Sequence, residues 1–318
     1  MSESEPCIKI ENLVKTYGRG GRTRALDNVS LEIAEGEVFG LIGPNGAGKT
    51  TLMGCLLSLL RPTAGKILIF GLAPDNIKVK EQSAFLPERP NFDAWMTARQ
   101  FLNYHHMLAK LPQKNVKADV ESALAMVELD PAAWDKRVKK FSRGMLQRLG
   151  IAQMLLGDPK LCFLDEPGSG MDPLGANLLR SMLVMWKKKN VTVVLNSHHL
   201  DEVERVCDRV AFIKAGRIQQ IEELSKVSEG EITVVVKCCS DMELPPDLLC
   251  GEVAATLGGT YFGTTEHLLR FQLKHPQDKR DLVRLLVENK IPVEEVFQER
   301  RGLEDLFIAI HKEEEARL

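Results

Sequence analysis

Residues 43–50, Gly43-Pro44-Asn45-Gly46-Ala47-Gly48-Lys49-Thr50, read G-x-x-x-x-G-K-T without a gap. Glycines at these positions let the backbone curl until successive N–H groups face one set of oxygens. A helix starting at the loop's exit adds its own free N–H donors. The anion this arrangement suits is a polyphosphate. Lys49 bridges its outer phosphates, Thr50 offers its hydroxyl to Mg2+, and Thr51 follows in the same turn. Downstream, Cys162-Phe163-Leu164-Asp165-Glu166 is an apolar run ending in two carboxylates. Adjacent residues at a strand end point in different directions, which opens two roles. Asp165 holds the Mg2+ shell, and Glu166 polarises or deprotonates an attacking water. Each feature has a plainer explanation alone, as a glycine turn entering a helix or as a solvated acidic turn. Together they point to hydrolysis of a nucleoside triphosphate.

The elements that must position these residues are legible. VFGLIG at 38–43 is an apolar strand running into the glycine loop, and KTTLMGCLLSLL at 49–60 has helical character. That order of strand, loop and helix is the context a P-loop needs. IKIENL (8–13), VSLEI (29–33) and ILIFG (67–71) read as strands. Residues 93–129 read as mostly helical, interrupted by LPQKN, and Arg143–Leu156 as a helix with an apolar face. KLCFLDEP is a buried strand. A helix over 173–187, a strand VTVVLNS, a helix over 199–206 and a strand RVAFIKAG follow. Strands alternating with helices predict an α/β fold around a largely parallel sheet. The pattern changes near residue 225. Beyond it, EITVVVK, LLRFQL and PVEEVFQ read as strands, with helices over 278–290 and in the closing LEDLFIAIHKEEEARL.

The two phosphate motifs do not separate one P-loop family from another; the residues between and after them do. Phe141-Ser142-Arg143-Gly144-Met145, followed by Leu146-Gln147-Arg148, resembles the signature LSGGQ-x-QR of ATP-binding-cassette (ABC) ATPases. The resemblance covers about residues 8–225 and is nearest to the single nucleotide-binding subunits of the ABC-2 exporter type. It implies a P-loop ABC ATPase domain over 1–225, with an antiparallel β subdomain and a helical subdomain at about 89–160. Residues 226–318 then form a small α+β accessory domain. Gly170-Met171-Asp172-Pro173 resembles the D-loop, and Asn196-Ser197-His198 the switch region, with His198 contacting the γ-phosphate and nearby water. Tyr17 resembles the aromatic that stacks on adenine. Glu88 stands where the family often has glutamine. It either reaches a metal-bound water or couples ATP binding to a membrane subunit. Ser142 and Gly144 are the retained signature donors for a γ-phosphate held by an opposite subunit, while Arg143 and Met145 replace glycine and glutamine. The implied ligands are ATP and Mg2+. The implied partners are a second copy or a homologous ABC subunit and a multi-span permease.

Composition agrees with this resemblance and narrows the alternatives. The 318 residues are 44% hydrophobic and 27% charged, an ordinary globular balance. A formal charge of -2 gives no electrostatic case for wrapping nucleic acid, so none is expected as a partner. No apolar run reaches the ~20 residues of a membrane helix, which predicts a chain on the cytoplasmic side, and the resemblance implies a peripheral place there through a membrane subunit. Seven cysteines without a CxxC pair predict reduced, structural thiols. Phe92, Trp95, Phe101 and Tyr104 belong either to a partner-facing surface or to the core of the helical subdomain. A soluble regulatory, translation or repair ATPase is the competing function. The second cassette or long coiled coil such proteins usually carry is not seen.

Overall fold

The computed structural model describes residues 6–18, 22–224, 232–239, 245–265, 267–275, 277–299 and 303. The closing helix expected at 303–318 lies outside them, apart from Leu303. The chain divides into two compact units, Met1–Glu222 and Glu223–Leu318.

In chain order the first unit runs β1 (Ile8–Tyr17), β2 (Thr23–Ile33), β3 (Val38–Ile42), α1 (Lys49–Leu56), β4 (Ala64–Ile69), α2 (Ile77–Glu81), β5 (Ser83–Leu86), α3 (Ala98–Leu108), α4 (Val116–Met126), α5 (Arg143–Leu155), β6 (Leu161–Asp165), α6 (Pro173–Lys188), β7 (Thr192–Asn196), α7 (Leu200–Val206), β8 (Arg209–Lys214) and β9 (Arg217–Glu223). Its main sheet has the order β5-β6-β7-β3-β8-β9. The pairs β5/β6, β6/β7, β7/β3 and β3/β8 are parallel. Every residue of β3 and β7 is buried, as is all of β6 but Asp165. Such continuous burial belongs to a parallel sheet covered on both faces. The carboxyl ends of β3, β6 and β7 therefore lie side by side on one sheet edge, where open α/β sheets place their ligands.

A second, antiparallel sheet of order β2-β1-β4 packs its apolar residues Ile8, Ile10, Leu13, Val29 and Ile67 into the same core as Phe39, Leu52 and Phe163. β1 and β2 are longer than expected because register shifts break their alternation, one of them beside Asn12, whose φ of 49 is left-handed. The helical stretch splits as the LPQKN interruption predicts. Thr97 and Gln100 form a capping box that starts α3. Ser142 starts α5 by accepting from the Met145 N–H, and Asp172 followed by Pro173 starts α6.

The second unit contains β10 (Ile232–Cys238), α8 (Asp247–Thr256), β11 (Thr260–Thr265), β12 (Leu268–Leu273), α9 (Asp278–Glu288) and β13 (Val293–Glu299). Its antiparallel sheet has the order β11-β12-β10-β13. Val234, Val236, Leu269 and Phe271 from the sheet join Val253, Leu282 and Leu286 from the two helices in a core of its own.

Candidate functional site

β3 delivers the chain into the glycine loop at a point with no spare room. A Cβ at Gly43 would lie 2.1 Å from the Ile213 carbonyl oxygen. At Gly46, φ is 79 and the Cβ direction is open, so its backbone is free to approach a ligand. No side chain caps the first turn of α1, and its N–H groups remain available to an anion. Lys49 is only 7% exposed. Its Nζ donates to the carbonyls of Gly43 (2.6 Å) and Pro44 (3.0 Å). Burial lowers its affinity for a proton, and the charges of Glu166 and Asp165 work the other way.

The carboxylates come from the neighbouring strand ends. Asp165 and Asn196 are register partners on β6 and β7, and Asn196 Nδ2 donates to Asp165 Oδ1 at 2.5 Å. Burial raises the Asp165 pKa, and that hydrogen bond opposes the shift. Glu166 has φ 47, a left-handed conformation uncommon for a residue with a side chain. Its N–H donates to the Asn196 carbonyl at 2.8 Å. Its Oε2 lies 2.7 Å from His198 Nδ1 and accepts from the His198 N–H at 3.3 Å. A backbone outlier held by its neighbours in this way is a mark of functional sites.

One cavity of about 210 Å³ collects these groups: Asn45, Gly46, Ala47, Gly48, Lys49, Thr50 and Thr51 with Glu88, Asp165, Glu166, Asn196 and Ala25. Three carboxylates face one ammonium, and the oxygen donors are those Mg2+ accepts while it also binds phosphates. Gly43, Pro44 and His198 flank the cavity without lining it. Tyr17, Ser142 and Gly144 also stand outside it. Tyr17 is exposed, with Lys15 Nζ 5.1 Å from its ring centre, and Ser142 and Gly144 begin α5.

Ala25 is a cavity residue that no motif contained, and Asn196 stood in the switch-region motif without a role of its own. What the motif does not give is the pairing of Asn196 with Asp165, each at the end of its own strand. The aromatic quartet divides. Trp95 (64%) and Tyr104 (42%) are exposed, whereas Phe101 is buried and meets Phe92 edge-on at 4.8 Å.

The ABC transporter family profile matches residues 26–169. An uncharacterized ABC transporter ATP-binding protein of Nostoc sp., all4389, is 41% identical over 216 residues, covering 66% of this chain and 64% of the relative. The bacitracin transport ATP-binding protein BcrA of Bacillus licheniformis is 32% identical over 315 residues, 95% of this chain and 96% of BcrA. The dimeric structure of MJ0796, a bacterial ABC transporter cassette, superposes with a TM-score of 0.63 at 25% identity, covering 68% of this chain and 98% of that one. The alignments span under two thirds of the first curated relatives, 64% and 62% of their lengths.

Proposed function

From the premise that this chain belongs to the ABC transporter ATP-binding family, we propose that it hydrolyses MgATP to drive a membrane transporter. The observation that carries this reading is the single cavity in which Lys49, Thr50, Asp165, Glu166 and Glu88 meet. Thr50, Asp165 and Glu88 would hold Mg2+, which neutralises phosphate charge when bound. Lys49 leaves the Gly43 and Pro44 carbonyls for the outer phosphates of ATP, and the loop N–H groups hold the rest of the chain. Glu166 takes the proton of the attacking water or orients it, with its carboxylate steadied by His198 Nδ1. That leaves His198 Nε2 to face the γ-phosphate. Tyr17 stacks on the adenine beyond the cavity. Catalysis is mostly positioning and charge stabilisation.

Ser142 and Gly144 lie away from the chain's own phosphate cavity, and this supports a composite site completed by a second copy or a similar subunit. ATP closes the pair, and hydrolysis opens it. Residues 1–225 would form this engine and 226–318 an accessory domain. Among the described residues no helix is long and apolar enough to cross a membrane. We place the membrane path in a separate multi-span subunit, with this chain on its cytoplasmic side. Exposed Trp95 and Tyr104 suit the docking surface for that subunit. The near full-length alignment with BcrA supports a transport role and makes bacitracin the first cargo to test, while the ABC-2 exporter type rests on the sequence resemblance alone.

The test is purification of Glu166→Gln in mild detergent with MgATP. Loss of ATP turnover with nucleotide still bound, and recovery of a stoichiometric multi-span protein, is the expected result. Unchanged turnover would sink the catalytic assignment. Soluble partners alone, while a control membrane complex survives extraction, would favour a regulatory, translation or repair ATPase instead.

A further inference from the structure

Two side chains on the first turns of α5 hold the loop that follows Glu166. Arg143 donates from Nη2 to Ser169 Oγ at 2.7 Å. Gln147, one turn on and buried, donates from Nε2 to the Pro167 carbonyl at 2.9 Å. The arginine also packs against Gly170. A Cβ there would come within 2.3 Å of Arg143 Cδ, 2.4 Å of Nε and 2.8 Å of Cζ. Gly170 has φ 77, a turn that favours glycine, and its missing side chain leaves room that the guanidinium occupies.

This contact joins two pieces of machinery with different tasks. The turn that carries Arg143 also carries Ser142 and Gly144, assigned above to the phosphate of the opposite site. The loop it grips begins at Pro167, directly after Glu166 with its left-handed backbone. A glycine at position 143, as in the usual signature, would offer no side chain to bridge the two. We propose that Arg143 is a positioning residue: it ties the signature turn to the loop behind Glu166, so that loading of the opposite site aligns this chain's own Glu166. The proposal rests on the reading that two subunits close on ATP. Because the gripping group is a flat guanidinium on a glycine backbone, lysine replaces its hydrogen bond but not its packing.

ATPase rates against ATP concentration, measured on the intact assembly, test it with Arg143→Ala, Ser169→Ala, the double variant and Arg143→Lys. Each single alanine is expected to lower kcat about tenfold and bring the Hill coefficient towards one, with KM little changed. The double variant is expected to be no worse than either single, because both remove one contact, and Arg143→Lys to recover part of the loss. Ser169→Ala deletes one surface oxygen and keeps the test open if the arginine variants fold poorly. A silent Ser169→Ala, or losses that add in the double variant, would overturn the proposal. Light scattering of Glu166→Gln with ATP separates the two levels. A dimer with additive losses overturns the Arg143 tie alone, whereas a chain that stays monomeric overturns the tie together with the two-subunit reading.

Discussion

Asn196 shows how much of this site depends on pairings that no motif reveals. Its Nδ2 is committed to Asp165, while its buried Oδ1 has no hydrogen-bond partner among the described residues. Replacing it with alanine leaves the half-buried Asp165 carboxylate without its donor. Asn196→Ala is expected to cost about 1–3 kcal/mol of stability, read from the urea midpoint. Lys49→Ala removes the one ammonium facing three carboxylates and should weaken ATP binding by about 10- to 100-fold, measured with a fluorescent nucleotide. The two variants differ in legibility for a physical reason. Lys49 acts within a contiguous loop, so spacing alone exposes it. Asn196 acts through a partner 31 positions away on another strand, and only strand register brings the two together. The left-handed backbone of Glu166 was equally hidden, because nothing in its residue type announces it.

The two-residue turn between β8 and β9 extends the same lesson to elements. Strands joined so tightly run antiparallel, and Ala215 and Gly216 have the positive φ angles such a turn requires, 48 and 76. The turn also braces the glycine loop. Gly216 N–H donates to the Ala47 carbonyl, and its own carbonyl accepts from the Asp27 N–H, both at 2.8 Å. A Cβ at Gly216 would lie 2.7 Å from the Ala25 carbonyl oxygen. Gly216→Ala is therefore expected to cost about 1–2 kcal/mol and to weaken nucleotide binding, although it lies in no phosphate motif. Beside this turn, Asp27 accepts from Arg217 and Arg24, both at 2.7 Å, and Arg217 leads the effects that hold its carboxyl below the usual range. A depressed pKa contributes stability above the unfolded value, near 3.8, that is lost as pH falls through the folded one. Asp27→Asn should lower the melting midpoint modestly at pH 7, and the difference from the parent should close in strong acid. Sequence periodicity found β3, β6 and β7 because each is built around a continuous apolar stretch. It passed over β9, α8 and β11. The β9 segment RIQQIEE is largely exposed, and β11, TYFGTT, buries no residue fully. α8 places Gly251 among small residues and lacks a marked polar face.

At the scale of the whole molecule, each unit has its own closed core, so burial is distributed very unevenly among side chains of one kind. Of the seven cysteines, Cys7, Cys55, Cys162, Cys207, Cys238 and Cys250 are buried, and only Cys239 is partly exposed. Burial pushes the thiols of Cys7 and Cys250 up to about 11 and that of Cys162 to about 12, while Cys207 rises further. Thiolate, the reactive form, is thus suppressed at those positions. The native chain should show one fast-reacting thiol in a colorimetric assay, with the remainder appearing only on unfolding, and Cys239→Ser should remove the fast one. The consequence is a built-in attachment point. A maleimide dye would mark the second unit at residue 239 without any cysteine having to be engineered away, and a pair of such dyes would turn the opening and closing of the proposed ATP-driven dimer into an optical signal.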